Sequence, residues 1–185
     1  MSQLRAFLAI DIDEDVKAKI YRVIKEFKGI DANVKYVEME NLHLTLKFFG
    51  DIDTEGIDVL SSKISGVLKD FDKFNIKIKG CGAFPNTSRI KVIWLGIDED
   101  GIVRKLHDEL DKEFVKLGFD KDKRFSTHLT IGRMRSGKNK DKVKSQIEEF
   151  DEIDIGEMPV DKIILKKSTL TPQGPIYEDL EVFEL

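Results

Sequence analysis

The first half of the chain alternates between the apolar spacing of strands and that of helices. Residues 5–12, RAFLAIDI, form a mostly apolar run that predicts a strand, and residues 13–28 predict an amphipathic helix. The apolar stripe of that helix comprises Val16, Ile20, Val23, Ile24 and Phe27. Further strands are predicted near 35–39 and 42–49, and a second helix is predicted to begin at Thr54.

The second half of the chain repeats this succession. The pattern predicts strands at 74–84 and 89–97, a helix at 100–117, a strand around 128, a helix containing Val143, Ile147 and Phe150, and strands at about 160–170 and 176–184. No linker rich in Pro, Gly or Ser separates the halves. We therefore predict one α+β domain over residues 1–185, a bilobal pseudo-two-fold duplication. Its two mostly antiparallel sheets would flank a central cleft, with the helices on the outside.

Two copies of one short motif stand out in this pattern. HLTL at 43–46 and HLTI at 128–131 use two of the three histidines in the chain. Because successive side chains of a strand point to opposite faces, His43 and Thr45 share one face while the neighbouring leucines share the other. His128 and Thr130 are related in the same way. If the apolar faces are buried, each strand presents an imidazole beside a hydroxyl.

The composition excludes several classes of protein. No apolar run approaches the roughly 20 residues needed to cross a bilayer, and the N-terminus MSQLRAFLAID lacks a signal-peptide layout. We therefore expect a cytoplasmic protein without a membrane partner. Cys81 is the single cysteine, which excludes an internal disulfide framework and a cysteine-based zinc site. The net charge of −4 gives no overall attraction to nucleic acid.

Positive charge is nevertheless concentrated around the second motif. Residues 121–144 contain nine Lys or Arg and only two Asp. Arg124, Arg133 and Arg135 all lie within seven residues of His128. This stretch is either a solvated basic loop followed by a helix start or the anion-binding rim of a site.

Two imidazoles can divide the proton transfers of phosphoryl chemistry between them. Their ordinary pKa of about 6.5 lets one act as a base and the other as an acid near neutral pH. In-line displacement at phosphorus needs a proton taken from the attacking oxygen and another delivered to the leaving oxygen on the opposite side. Threonine hydroxyls can donate hydrogen bonds to the non-bridging oxygens, and an arginine can offset the charge that develops there. A phosphodiester is the substrate that these groups fit best.

The motifs and two longer segments, NLHLTLKFFG and STLTPQGPIY, resemble the two-histidine (2H) phosphoesterase superfamily. Within it, the chain is similar to the RNA 2′,3′-cyclic phosphodiesterase family, also called the 2′-5′ RNA ligases. The resemblance implies hydrolysis of a terminal 2′,3′-cyclic phosphate to a 2′-phosphate without a metal or another cofactor. RNA ends, such as those of tRNA halves, would be the partners, and 2′-5′ ligation would be the reverse reaction.

The resemblance also implies residue roles. His43 and His128 would be the catalytic pair, Thr45 and Thr130 would bind the phosphate, and Arg133 would be the basic residue that follows the second motif. Strand parity disagrees about Arg133, because a regular strand turns it away from His128. A bulge at Gly132 would turn it back, and Arg135 is the alternative.

Further substrate contacts are predicted around the motifs. Parity places Phe48 in the core and Phe49 on the face of His43, where an aromatic ring can stack on a base. Tyr177, in the resembling C-terminal segment, and Arg124, in the basic stretch, are the other predicted contacts. Structural roles are predicted for Trp94, as a core residue, and for His107.

The division of labour and the substrate leave alternatives open. We expect His128 to activate water and His43 to protonate the departing 3′ oxygen. A non-catalytic RNA-binding module is the competing interpretation from another class. Within the enzyme class, another cyclic phosphate or a 2′-5′ oligonucleotide is an alternative substrate. The absence of a metal-binding pattern such as HExxH favours chemistry without a metal, and one chain carrying both motifs favours a monomer.

Overall fold

The computed structural model describes residues 2–98 and 100–185, apart from the side chain of Asp98. In chain order the elements are β1 (Gln3–Asp11), α1 (Glu14–Lys28), β2 (Val34–Tyr36), β3 (His43–Asp53), α2 (Ile57–Leu68), β4 (Phe74–Asn86), β5 (Arg89–Asp98), α3 (Ile102–Lys116), β6 (His128–Met134), α4 (Lys140–Glu149), β7 (Asp154–Val160), β8 (Lys162–Thr171) and β9 (Gly174–Glu184). Short 3₁₀ helices precede β3 and α2. Every predicted helix and strand has a counterpart, and β7 is a strand that the sequence pattern missed.

Two antiparallel sheets form the framework and confirm the predicted α+β class. One has the strand order β3-β1-β8-β9 and the other β2-β6-β5-β4-β7. Helices α2 and α3 pack on the four-stranded sheet and form the first lobe with it, whereas α1 and α4 pack on the five-stranded sheet and form the second lobe. The lobes are not the two halves of the sequence, because the first lobe combines β1 and β3 with β8 and β9 from the end of the chain.

The helices lie where their apolar stripes predict. All five stripe residues of α1 are buried, and Phe27 at its end packs edge-on against Phe150, just after α4, at 5.8 Å between ring centroids. The buried apolar side chains of both lobes form one cluster. No helix among the described residues is long and apolar enough to cross a membrane.

A bulge interrupts the first motif strand directly after its threonine. In the pairing of β3 with β1, Thr45 lies opposite Ala9 and Lys47 lies opposite Leu8, so Leu46 is an extra residue. An extra residue reverses the alternation of faces beyond it. The burial pattern changes accordingly, because Lys47 is buried directly after the buried Leu46.

The second motif strand carries a bulge at the corresponding place. In the pairing of β6 with β5, Thr130 lies opposite Trp94 and Gly132 lies opposite Ile93, so Ile131 is the extra residue. Strands β3 and β6 also contact each other, which brings the two motif strands together between the lobes. Each lobe therefore contributes to the cleft a motif strand with a bulge directly after its threonine.

Candidate active site

A cleft of about 1290 Å³ runs between the lobes, and both motifs line it. His43 and Thr45 contribute from β3, and His128 and Thr130 contribute from β6. The sequence thus correctly predicted that each imidazole shares a strand face with its threonine. It also correctly predicted that the two pairs meet in one cleft.

Hydrogen bonds hold the imidazole of His43. Its Nδ1–H donates to the carbonyl oxygen of Asn41 at 2.7 Å, which leaves Nε2 to accept from the Thr45 hydroxyl at 2.8 Å. The ring also contacts Phe7 and Tyr177, with centroids at 4.9 and 5.3 Å. Because the Asn41 carbonyl fixes the proton on Nδ1, Nε2 is the nitrogen available for proton transfer.

Opposing influences act on the pKa of His43. Burial lowers this pKa below its ordinary value of 6.5, while the hydrogen bond to Asn41 opposes the shift. The ammonium of Lys166 adds to the lowering, whereas the carboxylate of Asp11 counteracts it. Lys166 contacts Asp11 at 3.1 Å, so the charged groups beside His43 are themselves paired.

Aromatic rings hold the imidazole of His128, which has no side-chain hydrogen bond to the described residues. It stacks on the indole of Trp94 with centroids 3.9 Å apart and an interplanar angle of 29°, and the edge of Phe84 lies 5.1 Å away. Its Nδ1 is buried and has no hydrogen-bond partner among the described residues. Burial lowers the pKa of His128, and no neighbouring group offsets the shift. The structure therefore favours the neutral imidazole here.

Arg133 and Arg135 both line the cleft. The bulge at Ile131 reverses the parity that would have turned Arg133 away, one residue before the position where the sequence suggested a bulge. The positive charge of Arg133 lowers the pKa of Tyr177, although burial raises that pKa overall. The charge of Arg133 therefore acts on Tyr177, the ring that contacts His43.

The prediction that Phe49 shares the face of His43 is wrong. Phe49 is buried and packs on Phe114 and Phe119, with centroids at 4.9 and 5.0 Å. Phe48, predicted to be in the core, is instead 52% exposed and lines the cleft, with the guanidinium of Arg5 at 5.2 Å from its ring centre. The bulge at Leu46 causes the exchange, because it reverses the alternation beyond Thr45.

The other two predicted contacts also lie at the cleft. Tyr177 on β9 lines it and packs against Phe7 at 4.9 Å between centroids, so the ring supports the first motif. Arg124 lines it from the loop 117–127, which connects α3 to β6.

A buried ionic cluster anchors this loop beside the first motif. The ammonium of Lys47 contacts Asp111 at 2.7 Å and Asp122 at 3.3 Å, and it donates to the carbonyl oxygen of Asp120 at 2.6 Å. His107 is buried, as expected of a structural residue, and contacts Asp122 at 3.0 Å. Burial opposes ionisation of Asp111, but the hydrogen bonds from Lys47 and from the Asp122 backbone hold its pKa below the ordinary value.

The same cluster contains a possible set of metal ligands. His107, Asp111 and Asp122 place one ligand atom each within 4.8 Å of one another. The Lys47 ammonium already supplies positive charge to both carboxylates. These groups fit a buried ion pair better than a metal site.

The chain belongs to the 2′-5′ RNA ligase superfamily, as the motifs predicted. A family model with that description matches residues 15–169. A protein of Methanothermobacter thermautotrophicus named RNA 2′,3′-cyclic phosphodiesterase is 43% identical over 183 residues, which cover 99% of this chain and 100% of the relative. A protein of Methanocaldococcus jannaschii with the same name is 42% identical over 176 residues, with coverage of 95% and 97%.

Solved structures share the fold. The protein TT0787 of Thermus thermophilus superposes with a TM-score of 0.84 at 25% identity, covering 98% of each chain. Apo LigT of E. coli gives a TM-score of 0.79 at 24% identity, covering 100% of this chain and 99% of LigT. The bilobal α+β architecture is therefore that of known proteins.

Sequence reasoning missed three residues beside the motifs. The bulge made the sequence prediction assign Phe48 and Lys47 to the wrong faces of the strand. The available signal was the break in the alternation of apolar residues between Leu46 and Phe49. Trp94 was assigned to the core because a single Trp in an apolar strand usually packs there. Its contact with His128 depends on strand order, which the sequence does not reveal.

Proposed function

We propose that this protein is an RNA 2′,3′-cyclic phosphodiesterase that hydrolyses a terminal 2′,3′-cyclic phosphate to a 2′-phosphate without a metal ion. The observation that carries the proposal is that two imidazole-hydroxyl pairs, one from each lobe, line a single cleft. The names of the relatives at 42–43% identity support RNA as the substrate. Metal independence follows from the two histidines, which together can supply both proton transfers.

The proposed reaction transfers one proton on each side of the phosphorus, from the attacking water and to the leaving oxygen. His128 takes a proton from water as that water attacks the phosphorus, since its unpartnered Nδ1 and burial favour the neutral form. His43 gives a proton from Nε2 to the 3′ oxygen as the P–O3′ bond breaks. The Asn41 carbonyl suits this role because it accepts from Nδ1–H and stabilises the imidazolium. The product keeps the phosphate on the 2′ oxygen.

The remaining polar groups would bind the phosphate. When Nε2 of His43 is protonated, it can donate to the Thr45 oxygen, and the hydroxyl hydrogen of Thr45 is then free for a non-bridging oxygen. Thr130 would act likewise from the second lobe. Arg133 would offset the charge that develops in the transition state, in preference to Arg135, because its charge acts on Tyr177 of the first lobe.

The nucleoside would lie along the first lobe. We propose Phe48 for the stacking role predicted for Phe49, because Phe48 presents an exposed ring to the cleft. Tyr177 and Arg124 are proposed as additional contacts to the terminal nucleotide and to the RNA strand. The natural substrates would be RNA ends such as those of tRNA halves, with 2′-5′ ligation as the reverse reaction.

We further propose that residues 1–185 work as one domain and as a monomer in the cytoplasm. The support is that the cleft takes one motif from each lobe of the same chain. A partner subunit is not needed to complete the paired motifs.

Turnover of an RNA oligonucleotide with a 2′,3′-cyclic end, in excess EDTA, tests the proposal. We expect the intact protein to release a 2′-phosphate end, and His43→Ala and His128→Ala each to lower kcat by about 10²–10⁴-fold while still binding the RNA. Thermal unfolding of both variants controls for folding. Binding without turnover by the intact protein would favour an RNA-binding module, and full activity of either variant would refute the catalytic pair.

The same assay separates the alternative substrates. ADP-ribose cyclic phosphate and a 2′-5′ oligonucleotide would be compared with the RNA end at equal concentration. We expect the highest kcat/KM for the RNA 2′,3′-cyclic end. A higher value for either competitor would reassign the substrate without changing the catalytic pair.

A further inference from the structure

We propose that Trp94 is a positioning residue that orients His128 through ring stacking, and that Gly82 leaves the space that the indole occupies. This inference rests on the proposed function, in which His128 transfers a proton. Within the described part of the chain, the residues that line the cleft include His128 but not Trp94. Trp94 therefore acts through His128 and not on substrate.

The stack is a close one. The imidazole of His128 and the indole of Trp94 have centroids 3.9 Å apart at 29°, and Phe84 closes the open side at 5.1 Å from His128 and 5.6 Å from Trp94. These rings restrict both the position and the tilt of the imidazole.

Among the described residues, no side-chain hydrogen bond shares this positioning. Nδ1 of His128 is buried without a partner among the described residues, whereas a histidine in a catalytic site is normally oriented by a bond from its second nitrogen. Because Nδ1 is buried, Nε2 is the nitrogen that reaches the cleft. Its direction is therefore set by the plane of the ring, and the ring plane is set by Trp94.

The neighbouring strand is shaped to receive the indole. Gly82 on β4 lies opposite Trp94, and a Cβ placed on it would be 2.3 Å from Cζ2 and 2.5 Å from Cη2 of the indole. No side chain larger than hydrogen fits there unless the indole moves. Gly96 on β5 lies opposite His128 and leaves space for the backbone of β4, since a Cβ on it would be 2.5 Å from the carbonyl oxygen of Lys79.

Trp94 is the single tryptophan of the chain, so all tryptophan emission comes from the indole that contacts His128. An imidazolium in contact with an indole quenches its fluorescence, whereas neutral imidazole quenches it much less. We expect the emission of the intact protein to fall as pH drops through the pKa of His128, below the ordinary 6.5. The transition should vanish in His128→Asn and persist in His43→Asn. A transition that survives in His128→Asn would refute the stack.

Kinetics test whether the stack positions the base. We expect Trp94→Leu to lower kcat about 10- to 100-fold, because a displacement of about 1 Å can cost that much, with KM changed less than about threefold. Trp94→Phe retains a stacking ring and should keep most of kcat. Full kcat in a folded Trp94→Leu variant would overturn the proposal, and equal losses in the Leu and Phe variants would also contradict it.

A glycine variant supplies an independent test if Trp94→Leu folds poorly. Gly82→Ala should displace the indole and lower kcat, and the shorter ring in Gly82→Ala/Trp94→Phe should restore kcat to the level of Trp94→Phe. Gly66→Ala is the matched control, since a Cβ there meets nothing within 4 Å. Failure of the second substitution to rescue the first would refute the role of Gly82. Inactivity of the intact protein on RNA would instead refute the proposed function, while the fluorescence titration would still test the stack.

Discussion

The two motif strands share a tripeptide and a bulge, yet they support their histidines in different ways. In the first lobe a backbone carbonyl and a threonine hydroxyl hold His43 by hydrogen bonds, and paired charges lie nearby. In the second lobe aromatic rings hold His128, whose Nδ1 has no partner among the described residues. Burial lowers the pKa of both histidines, but the Asn41 carbonyl stabilises the imidazolium of His43 and opposes the shift there, whereas apolar rings and an unpartnered nitrogen favour the neutral form of His128. Identical motifs can therefore serve opposite proton transfers.

The two lobes also differ in the residues that follow each bulge. Four positions after the histidine, the first lobe has Lys47 and the second has Gly132. Five positions after it, the first lobe presents Phe48 to the cleft and the second presents Arg133. An aromatic face suits a base and a guanidinium suits a phosphate. This difference supports the proposal that the first lobe contacts the base and the second lobe the phosphate of a nucleotide.

The largest expected difference concerns stability at Lys47. Lys47→Met leaves the buried carboxylate of Asp111 without its ammonium, and we expect the free energy of unfolding to fall by about 3–5 kcal/mol. Lys112→Met is the matched control, because its pair with Glu109 is exposed and should contribute less than about 1 kcal/mol. Urea denaturation at pH 7 measures both. Similar losses in the two variants would contradict a structural role for the buried ion pair of Lys47 beyond that of an exposed pair.

The next expected effect separates the two arginines of the second lobe. Arg133→Ala should lower kcat/KM about 10²–10³-fold, as expected for loss of a group that stabilises transition-state charge. Arg135→Ala should lower it less than about tenfold, because we assign Arg135 no contact with the phosphate and an exposed cation is screened by solvent. Steady-state kinetics on a cyclic-ended RNA measure both. A larger loss in Arg135→Ala would transfer the role to that residue.

A smaller effect is expected at Phe48, the counterpart of Arg133. Phe48→Ala should raise KM about tenfold with little change in kcat, because one stacking contact with a base contributes roughly 1–3 kcal/mol. A glycerol 1,2-cyclic phosphate has no base, so its KM should not change. Phe49→Leu is the control, since Phe49 is in the core and should affect stability but not KM. An equal rise in KM for both substrates would exclude stacking by Phe48.

Local patterns in the sequence were sufficient to predict the helices, most strands and the two His-Thr pairs of the site. Helical and strand periodicities placed the helices and most strands, and parity paired His43 with Thr45 and His128 with Thr130. The errors at Phe48 and Phe49, and the disagreement between strand parity and the predicted role of Arg133, share one kind of cause. A bulged residue reverses the side chains that follow it up to the next irregularity, and the partner strand fixes where the bulge lies.

The rest of the site depends on contacts between residues far apart in the sequence, which the sequence pattern did not predict. Lys47 meets Asp111 across 64 residues, and Trp94 meets His128 only because β5 and β6 are neighbours. For the same reason, the sequence did not predict that strands from both ends of the chain form the sheet of the first lobe. Contacts of this kind depend on strand order, which periodicity does not determine.

The most direct test of the central claim replaces the 3′ bridging oxygen of the cyclic phosphate by sulfur. A thiolate leaves readily without a proton, since the pKa of a thiol is about 8.5. We expect His43→Ala, which is slowed by about 10²–10⁴-fold on the oxygen substrate, to recover to within about tenfold of the intact protein on the sulfur substrate. His128→Ala should remain slow on both. Recovery of His128→Ala with no recovery of His43→Ala would contradict the assigned roles and reverse them.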